Sequence, residues 1–299
     1  MPSEGELAKA ILEGVLVADG AMGTMLQAAG LPAGTPPELW NEENPAAVLA
    51  VHRAYVEAGA DLLLTNTFGA NRLKLSRYGL AEQVGALCRR AAMIARQAAG
   101  PGRFVLGDLG PTGLLLEPYG QLTEAEARAA FAEQARALAE GGVDAILVET
   151  MADPAEARAA IAGAHKGCDL PVICTFSFDR GRRTMMGAGA QALAALWGEG
   201  LLCIGANCGY SLEDTLAVIK ELHSLLPEAP LVAKPNAGVP RLGEDGHTHF
   251  DVGPAEMARF VPEYLAAGVR IIGGCCGSTP EHIAAIAMAV REHFGSLRR

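Results

Sequence analysis

The 299-residue sequence has no long uninterrupted apolar run, although half of its residues are apolar. Every stretch that begins like a membrane span meets a charge or a glycine at strand-like spacing, which argues against crossing a bilayer. A basic, apolar leader is also missing: the chain opens Met1-Pro2-Ser3-Glu4-Gly5-Glu6, so no secretory signal is expected. Positive charge is scarce. Twenty-four Lys and Arg face thirty-four Asp and Glu, a net charge of -10. That balance withholds a general phosphate-binding footprint and disfavours nucleic acid as a partner. Seven cysteines, an odd number, make a poor disulfide framework for a chain this long. A reducing, cytoplasmic setting is the expectation. Phosphate loops are lacking as well: neither GDLGPTG at 107–113 nor GGCCGS at 273–278 carries the lysine pattern of a nucleotide site, so ATP and NAD are not assigned.

What the chain does have is alternation. Apolar or β-rich runs at 14–18, 61–65, 104–107, 145–148, 171–176, 201–205, 231–234 and 269–272 each precede a helical stretch. The intervening segments show helical periodicity, as in Val48, Val51, Tyr55 and Ala58. Asn44-Pro45, Asp153-Pro154 and Thr279-Pro280 set a capping side chain before a proline tolerated at the first helical position, and Thr123 with Glu126 has capping-box spacing. Three similar segments, EAGAD at 57–61, EGGVD at 140–144 and AAGVR at 266–270, read as helix ends at glycine followed by strand starts. Eight evenly spaced units favour a closed (β/α)8 TIM barrel over an open doubly wound sheet, with residues 1–299 as one domain bearing short peripheral terminal extensions.

In such a barrel the strand ends share one mouth. Three cysteines fall there: Cys208 after the sixth strand, and the adjacent pair Cys275 and Cys276 after the eighth. Thiolates from two strand ends suit one face of a tetrahedral zinc site whose fourth position stays open for chemistry. Cys88, Cys168, Cys174 and Cys203 read as small hydrophobes. His52, His165, His223 and His293 fall in helical segments and read as packing or surface residues; His247 and His249 read as a polar loop rather than a second metal site.

The motifs DGAMGT at 19–24, TNTF at 65–68, GDLGPTG at 107–113, GANC at 205–208, PNAG at 235–238 and GGCCG at 273–277 together resemble the homocysteine S-methyltransferase family, most closely the homocysteine-binding barrel of cobalamin-dependent methionine synthase. The resemblance spans nearly the whole chain. It implies a thiol S-methyltransferase that makes methionine, with Cys208, Cys275 and Cys276 holding catalytic zinc. It also implies Asn236 as the fourth zinc ligand before substrate binds, where the residues alone read equally well as an Asx turn beside Gly238. Zinc would favour the substrate thiolate and aim its sulfur at an electrophilic methyl group.

Homocysteine must also be held by its ammonium group, and Asp19 and Glu149 at the mouth are the expected acceptors, with Thr150 as a neighbour. Asn66 and Thr67 either orient polar substrate groups or form a local turn network. Gly20 and Gly23 are expected to allow close backbone approach, and Asn207 to stand behind Cys208. The resemblance implies a methylcorrinoid as methyl donor, carried by a partner domain or protein; a small donor such as S-methylmethionine or betaine is the alternative, and a noncatalytic zinc-supported binding module the rival.

Overall fold

The structure, a computed structural model, describes residues 5–243 and 248–296. Eight parallel strands form the barrel: β1 (Leu16–Val17), β2 (Leu62–Leu64), β3 (Phe104–Leu109), β4 (Ala145–Met151), β5 (Val172–Phe176), β6 (Leu201–Cys208), β7 (Leu231–Pro235) and β10 (Val269–Ile272). Between the last two lies a small antiparallel pair, β8 (Arg241–Leu242) with β9 (Thr248–His249). The parallel strands are hydrogen-bonded in the order β1-β10-β7-β6-β5-β4-β3-β2. An Ala18–Leu62 bridge and the bond from Asp61 N–H to the Val17 carbonyl bring β1 against β2, so the sheet returns on itself.

The strands form where the sequence is apolar on both faces, as parallel strands between a packed interior and a helical layer must be. Helices start at the expected caps. Asn44 accepts from Ala47 N–H, Asp153 from Ala155 N–H, and Thr123 and Glu126 form a reciprocal capping box. At Pro280 the helix begins as expected, but the Thr279 N–H is taken by His282 Nδ1. The three repeated returns reach their strands through Gly59, Gly142 and Gly268 at φ +100, +91 and +83, the left-handed region that glycine enters without steric cost. Asp61 and Asp144 then tie neighbours together, accepting from Val17 N–H at 2.9 Å and Val105 N–H at 2.7 Å.

Two apolar cores result. The larger lies between strands and helices; the smaller fills the barrel with Leu62, Leu64, Leu106, Leu147, Ile173, Val232 and Ile271. The amino-terminal segment does more than extend the barrel. Its helix Glu6–Glu13 buries Leu7 and Ile11 in that inner core, closing the end opposite the mouth. No helix among the described residues is long and apolar enough to cross a membrane.

Candidate active site

Side chains two apart on a strand share a face, so the layer above the inner core can be counted upward from it. Leu106 leads to Asp108, Leu147 to Glu149, Ile173 to Thr175, Val232 to Lys234 and Ile271, through Gly273, to Cys275. Apolar residues seal the barrel, and the next inward positions are polar. A cavity of about 520 Å³ opens over this layer, lined by Asp19, Asp108, Glu149, Lys234, Cys208, Cys275 and Cys276 among others.

The backbone knits the strand ends beneath the cysteines. Asn236 N–H donates to the Cys208 carbonyl at 3.2 Å, Ala237 N–H to that of Cys276 at 3.0 Å, and Cys275 N–H to that of Pro235 at 2.8 Å. Cys208 itself is left-handed at φ +54, a conformation that costs a branched backbone of order 1 kcal/mol and marks constrained sites. The three sulfurs converge: Cys208 Sγ lies 3.0 Å from Cys275 Sγ and 3.9 Å from Cys276 Sγ, and all three lie within 4.8 Å of one another. No other His, Cys, Asp or Glu group of this kind occurs among the described residues.

The donor set fits zinc. Tetrahedral sulfur ligands at about 2.3 Å from the metal stand about 3.8 Å apart; the Cys208–Cys276 separation matches this and the Cys208–Cys275 separation undercuts it. Thiols packed this closely cannot all ionise on their own. Hydrogen bonds from Cys208 and Cys275 hold Cys276 down to about 3, while the same bonds and burial push Cys208 well above the usual thiol range. A divalent cation removes that conflict. At the end of β7, Asn236 Nδ2 donates to the Gly209 carbonyl at 3.1 Å, and its buried Oδ1 has no hydrogen-bond partner.

Beside the cysteines, Glu149 Oε1 pairs with Lys234 Nζ. Asp19 accepts from Leu64 N–H through Oδ2 at 2.8 Å, leaving Oδ1 buried and unpartnered; Asp108 Oδ1 is unpartnered too. Burial pushes all three carboxyls up, Asp19 to about 7 against the pull of Lys234, and at Asp108 repulsion from Glu149 acts in the same direction as burial. Burial alone would lower Lys234, but Glu149 and Asp19 more than reverse this and keep it charged. Three acids thus face one cation.

Asn207 fixes the wall between strands. It accepts from Thr150 N–H and Thr175 Oγ1 and donates to Thr150 Oγ1 and to Cys275 Sγ at 3.7 Å, so the cysteine it supports is Cys275 rather than Cys208. Thr150, left-handed at φ +61, lines the cavity. Asn66 and Thr67 line it as well, with side chains already engaged: Asn66 Nδ2 donates to Pro37 O and Asn41 Oδ1, and Thr67 Oγ1 donates to Asp108 O and bonds Thr65 Oγ1. Gly20 is where close approach is required, since a Cβ there would meet Ser278 Oγ at 2.6 Å and the Tyr55 ring at 2.9 Å; at Gly23 nothing lies within 4 Å.

His52 is fully buried, whereas His249 is exposed on β9 and His247 lies outside the described residues. Sequence reasoning missed Asp108 and Lys234. Period-two counting from Leu106 and Val232 was the signal that exposes both.

The family described as homocysteine S-methyltransferase matches residues 16–290. Methionine synthases of Mycobacterium leprae and Mycobacterium tuberculosis are each 36% identical over 95% of the chain, which spans a quarter of their length. Among solved structures, the metallated homocysteine methyltransferase MmuM from Escherichia coli is 29% identical with a TM-score of 0.76, covering 94% of this chain and 98% of its own; the oxidised form aligns at 0.77. These solved barrels overturn the expectation of a nearer tie to cobalamin-dependent methionine synthase. They are homocysteine methyltransferases matched over 98% of their own length, and the cavity here has the volume of a small-molecule site. Methylcorrinoid as donor, a corrinoid-bearing partner and cobalamin-dependent transfer are corrected accordingly, in favour of the small-donor alternative.

Proposed function

Since the chain belongs to the homocysteine S-methyltransferase family and is a methyltransferase, we propose that it moves a methyl group from a small onium donor of S-methylmethionine or betaine type to homocysteine. Methionine and the demethylated donor are the products. The observation that carries this reading is the convergence of three thiols on a cavity whose adjoining layer holds buried carboxyls in excess of its one lysine.

Cys208, Cys275 and Cys276 are the zinc ligands in this reading, with Asn236 Oδ1 as the fourth in the substrate-free enzyme. Bound zinc would lower the pKa of the homocysteine thiol and keep its sulfur nucleophilic at neutral pH. Asp19 Oδ1 and Glu149 receive the substrate ammonium, which supplies the second cation that three acids and one lysine lack. Asp108 Oδ1, one buried step away, is a further acceptor for that group. Lys234 keeps Glu149 oriented, and the Asn207–Thr150 contacts fix the opposite wall. With sulfur and ammonium both anchored, the thiolate presents one lone pair to the donor methyl in line with the onium bond. The S–CH3 bond forms as the onium bond breaks, its electron pair returns to the donor heteroatom, and the thiol proton leaves to solvent.

A donor panel tests the reading: zinc-loaded protein, homocysteine and either S-methylmethionine or betaine, assayed for methionine. Methionine from at least one supports it. Zinc-replete, folded protein that forms none with any small onium donor sinks it.

A further inference from the structure

The pairing of β1 with β10 continues where the strands end. Ala18 N–H donates to the Ile272 carbonyl at 2.7 Å and Gly274 N–H to that of Asp19 at 3.1 Å, which brings the Asp19 loop against the loop that carries Cys275 and Cys276. Past that point two hydroxyls take over. Ser278 Oγ donates to the Cys275 carbonyl at 2.7 Å and accepts from Ala21 N–H at 3.2 Å. Tyr55, on the helix Pro45–Glu57, sets its hydroxyl between two carbonyls, 2.8 Å from that of Ala21 and 3.1 Å from that of Ser278. Tyr55 and Ser278 are both fully buried, and glycines make the room they need: besides the close approach at Gly20, a Cβ at Gly274 would meet Ser278 Cβ at 2.5 Å. Neither side chain lines the cavity, so whatever they do there they do through the two loops.

We infer that Ser278 and Tyr55 are positioning residues that fix the spacing between Asp19 and Cys275, and so set the length of amino thiol that the site accepts. The inference rests on the transfer reading above and adds to it a determinant of acceptor length. In that reading homocysteine is held at both ends, its sulfur at the cysteine site and its ammonium at Asp19. A ligand gripped at two ends gains from both anchors only when its length equals the gap between them, and the gap is constant only if the anchors are tied together. Residues 19–21 and 275–278 come from opposite ends of the chain, so that tie has to be made by contacts across the β1–β10 seam. Hydrogen bonds of this kind resist stretching, because a buried N–H or carbonyl left without a partner costs more than the bond itself contributes. Cysteine, one methylene shorter than homocysteine, cannot bridge a gap held at the homocysteine length.

The test is calorimetric binding of three thiols to zinc-loaded wild type, Ser278→Ala and Tyr55→Phe: homocysteine, cysteine, and 4-sulfanylbutanoate, which is homocysteine without its amino group. Loss of one buried hydrogen bond should weaken homocysteine about two- to tenfold in each variant. Cysteine should change less, so that the preference for homocysteine over cysteine narrows. 4-Sulfanylbutanoate has no ammonium to place, and it should bind all three proteins alike, with zinc content unchanged. Tyr55→Phe keeps the buried ring and carries the test if Ser278→Ala does not fold. A homocysteine-to-cysteine ratio that holds its wild-type value in both variants overturns the inference, as does wild type that binds the two alike. An equal loss for 4-sulfanylbutanoate also overturns it, since that would mark damage to the metal site alone. A ratio that narrows in a protein that transfers no methyl group keeps the spacing role and sinks the transfer reading; methyl transfer with an unaltered ratio does the reverse.

Discussion

Lys234 Nζ and Glu149 Oε1 lie 2.8 Å apart with both side chains at least nine-tenths buried, on strands β7 and β4 that are not neighbours in the sheet. The pair spans the barrel interior, where Lys234 stands against three buried carboxyls, Asp19, Asp108 and Glu149. Removing one partner leaves a buried charge uncompensated. Lys234→Met should therefore cost about 3–5 kcal/mol of stability, read as a lower denaturation midpoint in urea. Glu149→Gln should cost less, because Asp19 still faces the lysine, and should instead weaken discrimination between homocysteine and its analogue lacking the amino group. Unchanged discrimination in folded Glu149→Gln and Asp19→Asn proteins would remove both residues from ammonium recognition.

The pH dependence of that recognition follows from Asp19. Burial raises its carboxyl from 3.8 to about 7, and only the ionised form offers Oδ1 to an ammonium as a charged acceptor. Homocysteine affinity should rise as pH passes upward through about 7, and Asp19→Asn should flatten the rise. Stability runs the other way. Between pH 3.8 and about 7 the folded state holds a proton that the unfolded state has lost, so Asp19 makes stability fall as pH increases. Asp19→Asn should thus melt higher than the wild type at pH 8 while binding substrate worse.

His52 is fully buried in the helix Pro45–Glu57, neither ring nitrogen has a hydrogen-bond partner, and burial lowers it from 6.5 to about 4. Its contribution has the opposite slope from that of Asp19. Above pH 6.5 both states are neutral; as pH falls toward 4 the unfolded state gains a proton first, and stability drops by about 3 kcal/mol in total. His52→Leu should remove this acid sensitivity and leave activity intact. Denaturation midpoints that fall equally in both proteins between pH 6.5 and 4.5 would refute it.

Metal binding is tested by spectroscopy. Cys208→Ser, Cys275→Ser and Cys276→Ser should each lose most zinc after reconstitution, while Cys88→Ser, a buried site among helix side chains, should retain it. Zinc K-edge spectra should shift from three sulfurs plus one oxygen or nitrogen toward four sulfurs on adding homocysteine, with the oxygen-or-nitrogen contribution already missing in Asn236→Ala. Homocysteine binding with an unchanged spectrum would exclude direct activation of its thiol at the metal.

All eight strands were legible because parallel strands buried on both faces leave apolar runs. Their ends were less so. β3, β4 and β6 run on to Leu109, Met151 and Cys208, beyond the apolar stretches at 104–107, 145–148 and 201–205. Asp108, Glu149 and Asn207 interrupt hydrophobicity while the pairing of Asp108 with Leu147 and of Asn207 with Lys234 continues. Two of the residues that blur the strand ends, Asp108 and Glu149, line the cavity. The cysteine site could be read from its motifs, since adjacent thiols at one strand end and a third at another are rare without a metal. The tie beside it could not: Ala21, Tyr55 and Ser278 meet only after the chain has folded, and nothing local marks the meeting.

The helix Glu6–Glu13, with Leu7 and Ile11 sunk in the inner core, makes the reaction chamber a blind alley. A molecule at its inner end can enter and leave only past whatever occupies the mouth. In the proposed reaction homocysteine, seated against the acids and cysteines, would therefore arrive before the donor, and the demethylated donor would depart before methionine. Traffic through one door imposes a sequence on the kinetics: initial-rate plots should intersect, and with betaine as the donor methionine should inhibit competitively against homocysteine but not against betaine.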